Sequence, residues 1–167
     1  MRSARAAWMA AMLAVLLAGC GRAEAPQQWH EYATQGAYSA SLSELGRYAL
    51  IGSINHGGSL WDTRRNARLF SWNHHQGEFT NIVTSAISQD ETFAVTAGQQ
   101  DLVLWSLISG GPVWYWSSPA EILALDLAPN ADHALMGLAN HEAVYFDIKQ
   151  GASVVPSAMT PGSARWI

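Results

Sequence analysis

The chain has a single cysteine, Cys20, among its 167 residues. One cysteine excludes a disulfide framework within the chain, a cysteine-based zinc cluster and a C-x-x-C redox pair. The sequence also has no G-x-S-x-G, Walker-type phosphate loop, H-E-x-x-H or G-x-G-x-x-G segment. No motif places a nucleophile beside a base, so we predict no catalytic, cofactor-binding or metal-binding residues and no enzymatic activity.

Basic residues are scarce, with nine Lys and Arg against thirteen Asp and Glu. A processed form without residues 1–19 loses Arg2 and Arg5, and its seven basic residues leave a formal charge of about −6. A chain this acidic offers no electrostatic footprint for nucleic acid. The one basic cluster, Arg64, Arg65 and Arg68, surrounds a predicted turn and is interpreted as a solvated loop.

The N-terminus has an apolar run that is too short to cross a membrane. Ala6–Ala18 is uncharged and thirteen residues long, whereas a bilayer-spanning helix needs ~20 residues. The basic stretch Met1–Arg5 precedes it, as in a secretory signal. We therefore expect a secreted or envelope protein.

The apolar run ends in LAGC, Leu17–Cys20, which resembles the bacterial lipobox. The resemblance implies a signal peptide over residues 1–19, a diacylglycerated Cys20 that is labelled by palmitate, and a polar tether over residues 20–28. Gly21 stands where an inner-membrane retention signal would have Asp, which favours the outer membrane, facing the periplasm. The alternative is an ordinary signal peptide whose cysteine is incidental.

After residue 28 the apolar periodicity is two, in short runs between turn residues, which predicts strands. A polar turn recurs at Ser43–Leu50, Ser88–Val95 and Ala128–Leu135. Alternating strands precede these turns, at Ala37–Leu42, Ile82–Ile87 and Ile122–Leu127. A small residue, a second turn and a third strand follow each, and the third strands carry Trp61, Trp105 and Phe146. We expect these three rings to occupy equivalent, largely buried positions.

Five residues after each ring stands a residue that tolerates positive φ, namely Asn66, Gly110 or Gly151. It predicts a hairpin into a fourth strand, at Arg68–Trp72, Val113–Trp116 and Ala152–Val155. Trp29 precedes the first copy as Trp72 and Trp116 precede the others, so it is assigned to a stray outer strand. Four strands per copy at a period of 40 to 45 predict an all-β fold of propeller-type blades.

The predicted domain covers residues 29–155, with repeats at about 37–72, 82–116 and 122–155 and an irregular tail at 156–167. Asn55–Asp62 (NHGGSLWD) gives the repeats a resemblance to the WD-repeat β-propeller family, in particular its bacterial lipoproteins, with Asn55, Gln99 and Asn140 at the turn position of the motif. No Gly-His dipeptide precedes a copy, and Trp-Asp occurs only in the first. The buried hydrogen-bond tetrad of the family is thus expected to be mostly missing, and a quinoprotein-like subfamily stays open.

Three copies are fewer than the four to eight blades of a closed propeller. The interpretation is either a fragment of a longer gene, which we favour, or a ring closed by oligomerisation. In both cases unpaired blade faces carry apolar residues, which predicts self-association.

The histidines offer one conceivable metal site. His56 and His141 occupy the same place in copies one and three, with Gln100 between them, but a turn role is the simpler interpretation. His133 is predicted to be a packed ring, and His74 and His75 a polar connection between blades.

Two functions follow from the resemblance. The first is a non-catalytic propeller scaffold, anchored in the membrane by lipid, that binds other envelope proteins. The alternative is a periplasmic propeller enzyme or small-ligand binder whose site lies in further blades.

Overall fold

Twelve strands form three four-stranded antiparallel sheets in the part of the chain that the structure describes. The structure is a computed structural model, and it describes residues 35–76, 80–148 and 152–153. The chain divides into two compact units, Met1–Glu31 and Tyr32–Ile167, and every described residue belongs to the second. The predictions for Cys20, the tether, Trp29, Gly151 and residues 154–167 lie outside the described residues.

Each sheet is a meander of strands that follow one another in the chain. The first sheet contains β1 Ala37–Leu42, β2 Tyr48–Ser53, β3 Gly58–Asp62 and β4 Ala67–Trp72. The second contains β5 Thr84–Ile87, β6 Phe93–Ala97, β7 Asp101–Ser106 and β8 Pro112–Ser117. The third contains β9 Ile122–Leu127, β10 His133–Leu138, β11 Ala143–Asp147 and β12 Ala152–Ser153. The predicted all-β fold with three four-stranded repeats is confirmed.

The same turn joins the first and second strands of every sheet. Its opening residue donates a backbone hydrogen bond of 2.9 Å to the carbonyl five residues later, in the pairs Ser43 and Tyr48, Ser88 and Phe93, and Ala128 and His133. The fourth residue has positive φ in each copy: Gly46 at 64°, Glu91 at 57° and Ala131 at 55°. The repeated polar sequence therefore encodes one backbone shape, which only the first copy builds with glycine.

The hairpin between the third and fourth strands explains why a polar residue follows the aromatic ring. Asp62 Oδ1 accepts the backbone N–H groups of Arg64 at 3.0 Å and Arg65 at 2.9 Å. In the second sheet Ser106 Oγ takes this place, at 3.3 Å from the N–H groups of the two turn residues that follow. The predicted left-handed residues are confirmed where described, with φ of 50° at Asn66 and 73° at Gly110.

The sheets follow one another like blades. The first strands of successive sheets contact each other, β1 with β5 and β5 with β9, and Ser41 Oγ lies 2.9 Å from Ser85 Oγ across the first of these contacts. The third sheet does not close back onto the first in the described strands. This is a propeller-like arrangement that forms an open arc.

Apolar residues, most of them on the second and third strands, fill the spaces between sheets. The first cluster holds Leu50, Leu60, Trp72, Ala94, Val103, Trp105 and Leu107. The second cluster includes Val95, Leu104, Ala134, Met136, Val144 and Phe146. Burying one large aliphatic side chain contributes about 1.5 to 3 kcal/mol, so contact between sheets, rather than any single sheet, stabilises the fold.

Two predictions need correction, one about the burial of Trp61 and one about where a strand begins. Trp105 and Phe146 are buried, but Trp61 is only half-buried, because the side of the first sheet on which it lies has no preceding sheet among the described residues. The first strand of the second repeat begins at Thr84 and not at Ile82. Ile82 is instead fully buried, and its N–H lies 3.3 Å from the carbonyl of Ser53 in the first sheet.

Among the described residues there is no helix with the length and apolar character needed to cross a bilayer.

Candidate functional site: a polar network where the first and second sheets meet

Aromatic rings from the first sheet cover the third strand of the second sheet. Trp72, at the end of β4, stacks on Trp105 of β7 with centroids 5.0 Å apart and planes 7° from parallel. Phe70 lies behind Trp72, at 6.0 Å between centroids. The Trp72 indole N–H donates a 2.8 Å hydrogen bond to the carbonyl of Gly110 in the β7–β8 turn. The buried ring is thus held by stacking on one side and by a hydrogen bond at its edge.

In the contact between the first and second sheets, the backbone of Gly110 passes close to the Phe70 ring. A Cβ atom at Gly110 would lie 2.4 Å from two atoms of the Phe70 ring. Its φ of 73° is also in the left-handed region. Glycine is therefore required here for two independent reasons, backbone conformation and ring packing.

Beneath the stack lies a chain of four hydrogen-bonded side chains. The Trp105 indole N–H donates to Thr96 Oγ1 at 2.8 Å, and Thr96 Oγ1 lies 2.8 Å from His74 Nε2. The other ring nitrogen, His74 Nδ1, is hydrogen-bonded to Asp101 Oδ2. The four residues come from four places in the fold: the loop after β4, β6, the start of β7 and the end of β7.

The directions of these hydrogen bonds favour one tautomer of the histidine. The Asp101 carboxylate can only accept, so Nδ1 of His74 carries a proton. The Thr96 hydroxyl accepts the N–H of Trp105 and then donates its own proton to the unprotonated Nε2. In this arrangement a neutral His74 leaves every donor with an acceptor.

The network is shielded from solvent. The His74 side chain and Thr96 are completely buried, and the Asp101 side chain is 18% exposed. Buried polar groups are costly unless hydrogen-bonded, so the mutual bonds make their burial possible. Gly98 makes room for the carboxylate, since a Cβ there would lie 2.0 Å from Asp101 Oδ1.

A hydroxyl, an imidazole and a carboxylate in series are also the groups of a nucleophile, base and acid triad. Here the hydroxyl oxygen of Thr96 is fully buried and already accepts the Trp105 N–H. An attacking oxygen needs space for the electrophile and a lone pair aimed at it. The arrangement therefore links the β4–β5 loop to the second sheet and presents no nucleophile.

The network bears on three sequence predictions. His74 was predicted to be a polar connection between blades, and the structure agrees: from the loop after the first sheet its ring binds Thr96 and Asp101 of the second sheet. The hydrogen-bond tetrad was expected to be mostly missing. The second sheet has four linked side chains, whereas Met136 and Phe146 take the places of Thr96 and Trp105 in the third. Gln99 was placed at the turn position where the motif has Asp. In the structure the carboxylate that binds His74 comes from Asp101, two residues later.

The spacing of the repeats indicates that His74 is shielded from solvent. His74 follows Trp72 by two residues, as Ser118 follows Trp116 in the next repeat, and both are largely shielded from solvent. A Gly-His dipeptide does not mark this histidine, because Asn73 precedes it.

The third sheet has an apolar version of the same site. Ala134 pairs with Phe146 as Ala94 pairs with Trp105, and Met136 therefore stands in the register of Thr96. Trp114 and Trp116 of the second sheet pack edge-on against Phe146, at 5.2 Å and 4.6 Å between centroids. Phenylalanine has no N–H that needs an acceptor, so methionine can replace the hydroxyl without leaving a polar group unpaired.

An open cavity of about 450 Å³ lies beside the polar network. Its lining includes Asn81, Gln99, Gln100, Asp101 and Tyr115, together with His75. His75 is half exposed; its Nε2 lies 3.6 Å from Asp101 Oδ2 and its ring meets the Tyr115 ring edge-on at 6.1 Å. The cavity is thus rich in amide and hydroxyl groups and has an aromatic side.

The other histidines lie elsewhere. His56 and His141 are both exposed, and only His141 has positive φ, so they do not share one turn conformation. His56 Nδ1 lies 2.9 Å from the Ile54 carbonyl within its own turn. His133 stacks on Tyr145 at 5.1 Å, in agreement with the predicted packed ring. Among the residues that the structure describes, no three His, Cys, Asp or Glu side chains are arranged so that they could hold a metal ion.

Two turn carboxylates have shifted acidities. Hydrogen bonds from the backbone N–H groups of Arg65 and Arg64 hold the pKa of Asp62 below its ordinary value, against the opposing effect of burial. For Asp90, burial raises the pKa, but hydrogen bonds from Ser88 and Thr92 outweigh it and leave the pKa below its ordinary value. Both groups stabilise turns in their ionised form.

Comparison with known proteins adds no relative: no family model matches the chain, and no curated protein matches it.

Proposed function

We propose that this chain is a membrane-anchored periplasmic lipoprotein whose propeller-like sheets form a non-catalytic scaffold for protein–protein interaction in the cell envelope. The observation that carries the scaffold role is the use of the polar residues where the first two sheets meet. His74, Thr96 and Trp105 bind one another inside the fold, and of the four residues in the network only Asp101 is partly exposed. The lipid anchor rests on Leu17–Cys20 and the apolar run before it.

The WD-repeat relationship is part of the same proposal. Its support is the period of the repeats, the strand pattern and a buried set of four hydrogen-bonded residues of the kind that the resemblance implies. The apolar version in the third sheet is a departure from that pattern, and it leaves a quinoprotein-like subfamily as the alternative.

The proposed contact surface of the scaffold is the outer strand of the second sheet. β8 is at the edge of its sheet, and Val113 and Tyr115 on it are 55% and 46% exposed. Apolar side chains on an open strand edge favour binding of another protein segment.

The anchor is tested by growing cells with a palmitate analogue. The wild-type chain should incorporate label and fractionate with the outer membrane, and Cys20→Ala should remain unlabelled. Equal labelling of the two chains, or none on the wild type, contradicts the lipid anchor.

The scaffold role is tested by placing a photoreactive amino acid at Val113 in living cells, with buried Leu104 as the matched control position. Val113 should cross-link to a discrete envelope protein and Leu104 should not. If Val113, Leu123 and Ile108, all exposed, cross-link to no protein, the scaffold proposal fails.

A second candidate is a small-ligand binder, and the cavity next to His75 and Tyr115 favours it. A polar ligand that raises the melting temperature of the wild-type chain, and not that of Tyr115→Ala, would support this function over the scaffold.

A further inference from the structure

The third sheet exposes an apolar pair that the first two sheets bury. Leu135 and Tyr145 face each other across β10 and β11 and are 51% and 47% exposed. Leu50 and Leu60 form the matching pair in the first sheet, and Val95 and Leu104 the matching pair in the second. Those four residues are at most 2% exposed. The register is the same in all three sheets, so the difference comes from what lies against the pair.

The following sheet covers the pair in both internal interfaces. Leu50 and Leu60 share a cluster with Ala94 and Trp105, which face each other across β6 and β7. In the next interface Val95 and Leu104 share a cluster with Ala134 and Phe146, which likewise face each other across two strands. An aliphatic pair therefore packs against an alanine and an aromatic ring, twice in one molecule.

The strands that the structure describes have one more surface of the covering kind. Ala49 faces Trp61 across β2 and β3, at the positions of Ala94 and Trp105, and Ile51 is on the same side as Ala49. All three residues are half-buried. Trp61 donates a hydrogen bond to Ser59 at 2.8 Å. Trp105 keeps its own bond to Thr96 while it packs against the preceding sheet, so such a bond is compatible with contact.

We propose that the Ala49 and Trp61 face of the first sheet from a second copy of this chain covers the Leu135 and Tyr145 face of the third sheet. The two faces differ, so the contact is head-to-tail, and two copies close through two identical contacts into a ring of six sheets. Six sheets fall within the four to eight blades of closed propellers. The inference is independent of the proposed envelope function.

Pairing of two third-sheet faces with each other is the main competing arrangement. Asp126 lies directly beside Leu135 on that face and is exposed. Face-to-face contact would bring the carboxylates of two copies together in a desolvated interface, which is unfavourable. The head-to-tail contact places this acid opposite the first sheet of the other copy instead.

Sedimentation velocity of the full chain in a mild non-ionic detergent tests the proposal. The wild type should be dimeric at micromolar concentration. Leu135→Arg on the third sheet and Ile51→Arg on the first should each raise the dissociation constant tenfold or more. The matched control is Ile108→Arg, because Ile108 is 84% exposed in the β7–β8 turn and on neither face; it should leave the dimer unchanged.

An equimolar mixture of Leu135→Arg and Ile51→Arg gives the sharpest result. A heterodimer retains one intact contact, between the Leu135 face of the Ile51→Arg chain and the Ala49 face of the other. The mixture should therefore associate more strongly than either variant alone. Self-pairing of the third sheet predicts instead that Ile51→Arg has no effect and that mixing restores nothing.

Disulfide trapping covers the case in which an arginine variant fails to fold. In a Cys20→Ser background, chains carrying Leu135→Cys and chains carrying Ile51→Cys should form a covalent dimer on oxidation only when mixed. Monomeric wild type, or cross-linking of Leu135→Cys chains with themselves as efficiently as in the mixture, overturns the proposal.

Discussion

Trp72 of the first sheet lies parallel to Trp105 of the second, with 5.0 Å between ring centroids, and the edge of each indole is hydrogen-bonded inside the protein. The Trp72 N–H is bound by the β7–β8 turn and the Trp105 N–H by Thr96. The stack is therefore the place where apolar packing between sheets and the buried polar network coincide.

Truncating Trp105 removes both its packing against Trp72 and its hydrogen bond to Thr96. We expect Trp105→Ala to lower the free energy of unfolding by about 3 to 5 kcal/mol, since a large buried ring loses its transfer energy and leaves a cavity. Trp61→Ala is the matched control and should cost less, because Trp61 is only half-buried. Urea unfolding followed by circular dichroism measures both, and equal losses would contradict the burial difference.

The role of His74 is separable from that of its neighbour His75. His74→Ala leaves Thr96 and Asp101 without their partner, which should cost about 1 to 3 kcal/mol of stability. His75→Ala changes a side chain that is 48% exposed and should alter stability by less than about 0.5 kcal/mol. Thermal unfolding of the two variants in the same buffer measures both stability losses. A similar small effect from both substitutions would show that the network contributes little.

Gly110 and Gly111 form a matched pair in one turn. Gly110→Ala forces a Cβ against Phe70 and a side chain into positive φ, and we expect a loss of about 2 kcal/mol or more. A Cβ at Gly111 would be 3.6 Å from Ser109 Oγ, an ordinary contact. Gly111→Ala should thus be tolerated in the same denaturation assay, and a tolerated Gly110→Ala would refute the packing argument.

Glu91 occupies a backbone conformation that glycine adopts without strain. With φ of 57° at Glu91, we expect Glu91→Gly to stabilise the chain by about 1 kcal/mol, a rise of a few degrees in melting temperature. The reverse change, Gly46→Ala at the equivalent turn position, should destabilise by a similar amount. Differential scanning calorimetry of both variants measures the two shifts, and shifts of the same sign would contradict the prediction.

Acid should weaken the fold through Asp62. Its pKa is lowered in the folded state, so its ionised form contributes stability above the ordinary value of about 3.9, and this contribution is lost as pH falls through the lower folded pKa. Wild type and Asp62→Asn should therefore differ in stability most at pH 5 to 7 and converge toward pH 2. Urea midpoints measured across this range provide the comparison, and a constant difference would exclude the charge as its cause.

The sequence by itself determined the features that depend on near neighbours. Alternation of apolar residues and the recurring polar turn predicted the strands at Ala37–Leu42 and Ile122–Leu127 with the bounds that the structure has. The left-handed positions at Asn66 and Gly110 followed from residue type alone. Strand pairing and tight turns involve residues a few positions apart, so their chemistry is visible in a short window.

Only the tertiary structure decided what happens between the sheets. His74 meets Thr96 and Asp101 across 22 and 27 residues of sequence, and the alternation of apolar residues does not distinguish it from the exposed His75. The same holds for Leu135, which has the alternation of Leu50 and Val95 but is half exposed. Alternation shows which side of a strand is apolar. Whether another sheet packs against that side depends on how the repeats are arranged in space, and this determines both the buried network and the exposed face.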